Sequence, residues 1–162
     1  MAVNWVLPMR GVQAALSVVV LGLMGYVSSW WATHWRQMAP VEVIFIIFAS
    51  VISIIASSAL LIVPWKMARV AEQTAPKLAL ISFEMFTMFC WFGGFVALAV
   101  FLSDRICFGT VCSVAKAGTA LSAFTWLLWA VTAVFSVIGL FKGGRGSAKG
   151  TNEPKVEMHQ GV

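Results

Sequence analysis

The sequence predicts an all-α bundle of four transmembrane helices with its N and C termini cytoplasmic. Three observations predict it: a composition too apolar for a water-soluble surface, four long apolar stretches bounded by charges, and an uneven split of basic residues between the two sides of those stretches. Hydrophobic residues make up 60% of the 162-residue chain and charged residues 10%. Mean hydropathy is +0.92. Soluble domains carry about 25% charge, so a water-facing surface would lack the polar residues it needs. Eight Trp and twelve Phe against one Tyr suit an exterior that meets lipid and its interface. The formal charge of +5 does not point to nucleic acid, because the basic residues lie between apolar stretches and form no patch on a soluble module.

The expected spans cover residues 11–33, 41–65, 78–102 and 117–141. Each exceeds the roughly 20 residues needed to cross a hydrocarbon core of about 30 Å. Lipid offers the backbone no hydrogen-bond partners, so such segments must be helices. The period-two alternation of a membrane barrel is absent. The first span ends in Trp30, Trp31 and His34 and not in small residues, so it reads as a retained helix and not a cleaved signal peptide. Residues 1–10 form a short N-terminus. Residues 142–162 are rich in Gly, Ser, Lys and Glu and are expected to be a disordered tail.

An even number of spans puts both termini on one side, with Arg10, Lys66, Arg69, Lys77, Lys142, Arg145, Lys149 and Lys155. The opposite side holds Arg36, Arg105 and Lys116. Eight against three makes the first side cytoplasmic, since short cytoplasmic loops carry the excess of Lys and Arg. Lys142, Arg145 and Lys149 then lie where they would contact headgroups of an anionic inner leaflet.

Small and weakly polar residues at spacings of three and four mark the expected packing faces. They are Gly11, Ala15, Val18, Gly22, Gly25 and Ser29 in the first span, and Ser50, Ser53 and Ser57 in the second. The third offers Gly93, Gly94 and Ala97. The fourth offers Gly118, Ser122, Thr125, Trp129, Thr132, Ser136 and Gly139.

Two features carry chemistry. Glu84 lies about two turns inside the third span, where an ionisable group is expensive and is a candidate functional site. One reading makes it the site of a small proton or cation transporter. The other makes it a structural carboxyl, protonated or paired with Arg10 or Lys66. The second feature is Cys107 and Cys112 in the outer loop, facing an oxidising compartment. They are expected to form a structural disulfide that closes a small loop and contributes about 2 kcal/mol. A redox role would need a second pair, and only Cys90 remains. The only two histidines, His34 and His159, fall on opposite sides, so no metal site or cofactor is expected.

The chain resembles small fungal tetraspan proteins with a MARVEL domain over about residues 8–141. The resemblance rests on Arg10-Gly11-Val12-Gln13 and Gly22-Leu23-Met24-Gly25-Tyr26, on Glu84 followed by Trp91-Phe92-Gly93-Gly94, and on Cys107 and Cys112 leading into Ala115-Lys116-Ala117 and Phe124-Thr125-Trp126-Leu127-Leu128-Trp129. Claudin-like and tetraspanin-like families need a long folded outer loop that this chain lacks. The resemblance implies a MARVEL-like fold and a non-enzymatic role in organising membrane microdomains, in vesicle trafficking or in sorting other membrane proteins. It brings no catalytic residues. The implied partners are the bilayer and other membrane proteins, self-association included, in the plasma membrane or the secretory pathway.

Overall fold

The computed structural model describes the backbone of residues 3–66, 74–104 and 109–147, and the side chains of residues 7–62, 78–104 and 109–141. Four helices account for nearly all of it: α1 (Val3–Trp35), α2 (Val41–Lys66), α3 (Thr74–Ser103) and α4 (Thr110–Ser147). Each contains a stretch long and apolar enough to cross a membrane. The chain is an all-α, four-span protein.

The helices outrun the hydrophobic stretches. The α1 helix starts at Val3, so Arg10 lies two turns inside it and is not the flank of the span. The α4 helix begins at Thr110 and continues to Ser147, with Lys116 on its exposed side. Residues 110–116, expected in the outer loop, are helix, and the tail expected to be disordered from residue 142 begins as helix. The reason is length: 38 residues rise about 57 Å at 1.5 Å each. Intrahelical hydrogen bonding does not stop at the edge of the hydrocarbon, so a charge bounds a span without ending a helix.

The connections are built by local chemistry. Arg36 ends α1 with a positive φ of 48°. Pro40 then presents its carbonyl to the amides of Val43 and Ile44, at 3.0 and 3.2 Å, and opens α2. Glu42 sits in that first turn, where a carboxylate favours the positive end of the helix dipole. Gly109 has φ 93°, a conformation that suits glycine, and its carbonyl accepts from Ser113 at 3.4 Å as α4 begins.

The α1 helix packs on α2 and α4, and α3 packs on α2 and α4, which makes a square with two diagonals. The inward residues repeat at threes and fours in every helix. They are Arg10, Gln13, Ser17, Val20, Met24 and Val27 in α1; Val43, Ile46, Ser50, Ser53 and Ser57 in α2; Glu84, Thr87, Trp91 and Leu98 in α3; and Ala115, Ser122, Thr125, Trp129 and Thr132 in α4. This is the seam spacing of supercoiled bundles. The expected face of α4 is the observed one from Gly118 to Thr132, with Ser136 part-buried and Gly139 exposed, and the three expected serines of α2, Ser50, Ser53 and Ser57, are all buried. The expected face of α1 is not. Gly11, Ala15, Val18, Gly22 and Ser29 point outward, and a Cβ at Gly11, Gly22 or Gly25 would meet nothing within 4 Å. Only Gly94 of the expected trio in α3 is buried, with Ile46 of α2 against it.

Candidate functional site

The end of the bundle where α1 begins and α4 ends, here the proximal end, is polar inside. Arg10 is 3% and Glu84 2% exposed. The Arg10 Nη2 pairs with Glu84 Oε1 across the α1–α3 diagonal. The other carboxylate oxygen, Oε2, accepts from Ser136 of α4 at 2.8 Å. Adjacent helices can meet through small side chains, but a diagonal needs long ones. Arg and Glu together span it.

From Arg10 the network runs inward. Its Nη1 donates to Gln13 Oε1 at 3.1 Å. Arg can only donate, so this contact fixes which way the Gln13 amide faces. The Gln13 Nε2 then donates to the Leu128 carbonyl and to Thr132 Oγ1, both at 3.1 Å. The Arg10 guanidinium carbon also lies 5.1 Å from the centre of the Trp129 ring, within range of a cation–π attraction. The Trp129 Nε1 crosses the second diagonal to Ser53 Oγ of α2 at 3.1 Å. Ser53 meets Ser17 of α1 at 2.7 Å, and Ser17 donates to the Gln13 carbonyl at 2.7 Å. Ser17 has one proton, so Ser53 is the donor in their bond. The order is Trp129 to Ser53 to Ser17 to Gln13.

Interhelical hydrogen bonds within membranes average about 0.6 kcal/mol each and reach about 1.7. The ion pair sits differently, because a buried charge left without its partner costs about 3–5 kcal/mol. The arrangement therefore ties all four helices at one end, with Arg10 and Glu84 as its most consequential members.

Of the residues singled out from the sequence, Glu84 is at the centre of this network and Arg10 is its partner. The side chain of Lys66, the other partner considered, lies outside the described residues. Arg10 shares the buried interior with Glu84, as the paired reading of the carboxyl expects. The sequence places Arg10 at the edge of a span, and the helix passes it. Gln13, Ser17 and Thr132 complete the arrangement. In α1 the signal is the polar residues at positions 10, 13 and 17, the three-then-four spacing of a buried face, which competes with glycines on a face one residue along. Cys112 is buried in the first turns of α4 and is not free, whereas Cys90 is a buried free thiol. Cys107 lies outside the described residues. So do Lys149 and the side chains of Lys142 and Arg145, which sit on the helical last turns of α4.

At the opposite, distal end a cavity of about 460 Å³ opens beside Glu42, Ala97, Val100, Phe101 and Asp104. Among the described residues no group of three or more His, Cys, Asp or Glu is placed to hold a metal ion.

The MARVEL family model, described as a membrane-associating domain, matches residues 4–135. That match runs from the first turn of α1 through Thr132 of α4 and so contains most of the polar network. No curated protein and no solved structure matches the chain.

Proposed function

The chain belongs to the MARVEL family of membrane-associating domains, and from that premise we propose that it is a non-enzymatic organiser of its membrane, gathering lipid and other membrane proteins into microdomains or assisting their sorting. The observation that carries this reading is the engagement of Glu84. Both carboxylate oxygens are held, one by Arg10 and one by Ser136. A carboxylate so held serves to fasten helices. The bundle then meets its surroundings through an outer face that carries Phe45, Phe48, Phe86, Phe89, Phe92, Phe124 and Phe135. Proximity labelling in cells, with pull-down from mild detergent, tests the proposal. A reproducible set of membrane-protein neighbours and a patterned distribution are expected. A uniform distribution with no enriched neighbour would overturn it.

The competing reading, a small proton or cation transporter, draws on the same interior, since polar side chains run from Ser136 to Ser53. Reconstitution into liposomes with a pH-sensitive dye separates the two. A flux in wild type that vanishes in Glu84→Gln would establish the transporter. Structural use of Glu84 predicts no flux in either.

Three further features belong to this proposal. Both termini are cytoplasmic: with Arg10 committed to Glu84, the basic residues still divide seven to three (8 − 1 = 7). A glycosylation acceptor placed beside Gly109 should be modified, and modification of the tail in its place would reverse the orientation. Lys142, Arg145 and Lys149 contact an anionic leaflet, worth about 1 kcal/mol each, so replacing all three with Gln should reduce co-purification of anionic lipid. The bonding partner of Cys112 is Cys107, in an oxidising compartment of the secretory pathway or at the plasma membrane. Alkylation of freshly extracted protein without reductant should label Cys90 alone, and labelling of Cys107 or Cys112 would refute the pairing.

A further inference from the structure

Side-chain hydrogen bonds join α1 to α2 (Ser17–Ser53), α1 to α3 (Arg10–Glu84), α1 to α4 (Gln13–Thr132), α2 to α4 (Ser53–Trp129) and α3 to α4 (Glu84–Ser136). Among the described residues the pair α2–α3 has no such bond, although these helices are neighbours. Two fully buried polar atoms without a hydrogen-bond partner sit on those two helices: Ser57 Oγ on α2 and Trp91 Nε1 on α3.

Their levels in the bundle follow from the bonds around them. Glu84 is level with Ser136, and Trp91 and Trp129 lie seven residues from each, toward the distal end. Trp91 is therefore level with Trp129 and with its partner Ser53. Ser57 is one turn proximal to Ser53. A helical side chain leans toward the N-terminus of its own helix, and α2 and α3 run in opposite directions. The Trp91 indole thus leans proximally, toward the level of Ser57, while Ser57 leans distally, toward the level of Trp91. They converge.

We propose that Trp91 and Ser57 form a binding site for a buried water molecule, which supplies the missing link between α2 and α3. The chemistry selects water. An indole N–H only donates, so the occupant must accept, and a water accepting from Trp91 can exchange a further bond with the Ser57 hydroxyl. An anion would also accept. However, the nearby Arg10 and Glu84 already neutralise each other, and an uncompensated charge in this interior is far costlier than a neutral guest. Lipid headgroups are kept out because both atoms are closed to the exterior. Ser53, Ala56 and Thr87, all buried on these two helices, are small side chains, so the room one water needs displaces little. Left dry, each orphaned donor would carry the full cost of its lost hydration.

The experiment is rotating-frame water-to-protein transfer by NMR on the full chain in nanodiscs with 15N-labelled Trp, each indole assigned by a Trp→Phe variant. Trp129 is the internal control, being level with Trp91 but partnered by Ser53. A water cross-peak at the Trp91 indole and none at Trp129 is expected. No cross-peak at Trp91, or equal ones at both, overturns the proposal. A Trp91 resonance that shifts when chloride is replaced by gluconate would assign the site to an anion and also overturn it. Ser57→Ala should weaken the cross-peak and lower the unfolding midpoint, and Ser57→Thr, which keeps the hydroxyl, should restore both. If the pair is dry, Ser57→Ala removes an unmet hydroxyl, and the midpoint would stay or rise. If Ser57→Ala does not fold, the wild-type cross-peak with Ser57→Thr decides alone.

Discussion

The two ends of the bundle interior solve the same packing problem with different materials. Proximally the seam is Arg10, Gln13, Ser17, Ser53, Glu84 and Thr132; distally it is Val20, Met24, Val27, Val43, Ile46 and Leu98. The helices α1, α2 and α3 supply residues to both sets, and the three-four spacing runs on from one to the other. Lipid tails are as apolar as Val and Ile, so burying the distal side chains gives little hydrophobic drive, and fit does most of the work there. Directional bonds specify which helix faces which at the proximal end. Close approach sets how near they come at the distal end, where Gly94 admits Ile46 and Gly118 admits Met24.

The sharpest way to break the comparison is to remove one charge from the proximal end. Arg10→Ala leaves Glu84 buried without its cation and should destabilise by about 3–5 kcal/mol, read by reversible unfolding in mixed micelles. Replacing both with apolar residues of similar size, Arg10→Met with Glu84→Leu, should recover much of that loss, because a buried pair exchanged whole is often near neutral. Equal losses in the single and double variants would show that the bonds to Gln13 and Ser136, and not the charge balance, hold this end.

The distal end should respond to volume instead. A Cβ at Gly94 would come within 2.6 Å of Ile46 Cδ1 and 3.3 Å of Phe45 Cδ1. Ile46 is β-branched and stiff, so Gly94→Ala should cost about 1–3 kcal/mol, the usual range for overpacking. At Gly118 the new Cβ would come within 2.0 Å of the Met24 terminal methyl, and that unbranched side chain can swing aside. Gly118→Ala should therefore cost less than Gly94→Ala in the same unfolding assay. The reverse order would mean that Met24 is the more tightly locked of the two.

How much of this was legible follows from what each residue type signals. The four spans were readable because hydrophobicity integrated over twenty residues is insensitive to detail. The α4 seam was readable because Ser122, Thr125, Thr132 and Ser136 are weakly polar and fall on one face beside Trp129. In α1 the same logic failed. Glycines and polar residues occupy faces about one residue apart, and sequence does not say which of the two a bundle turns inward. The decisive fact was the reach of Arg10 to Glu84, a contact between residues 74 apart in sequence. The helix boundaries were misplaced for a different reason: charge reports where the lipid ends, and hydrogen bonding decides where the helix ends.

The smallest expected effect concerns the outward glycines of α1, and it sharpens the contrast between inside and outside. Gly22 and Gly25 would each accept a Cβ with nothing within 4 Å. In a lone bundle, Gly22→Ala and Gly25→Ala lose no contact and gain helix propensity, at most about 1 kcal/mol each, so the unfolding midpoint should hold or rise slightly. A second copy packed on this face would reverse the sign, since small residues are what let two membrane helices approach closely. Energy transfer between donor- and acceptor-labelled chains in nanodiscs distinguishes the cases. No transfer above random proximity, unchanged in Gly22→Leu, would mark the face as lipid-covered. Transfer in wild type that is lost in Gly22→Leu while the unfolding midpoint stays constant would make α1 an interface between copies, and would explain why a helix with so polar an inner seam keeps so smooth an outer one.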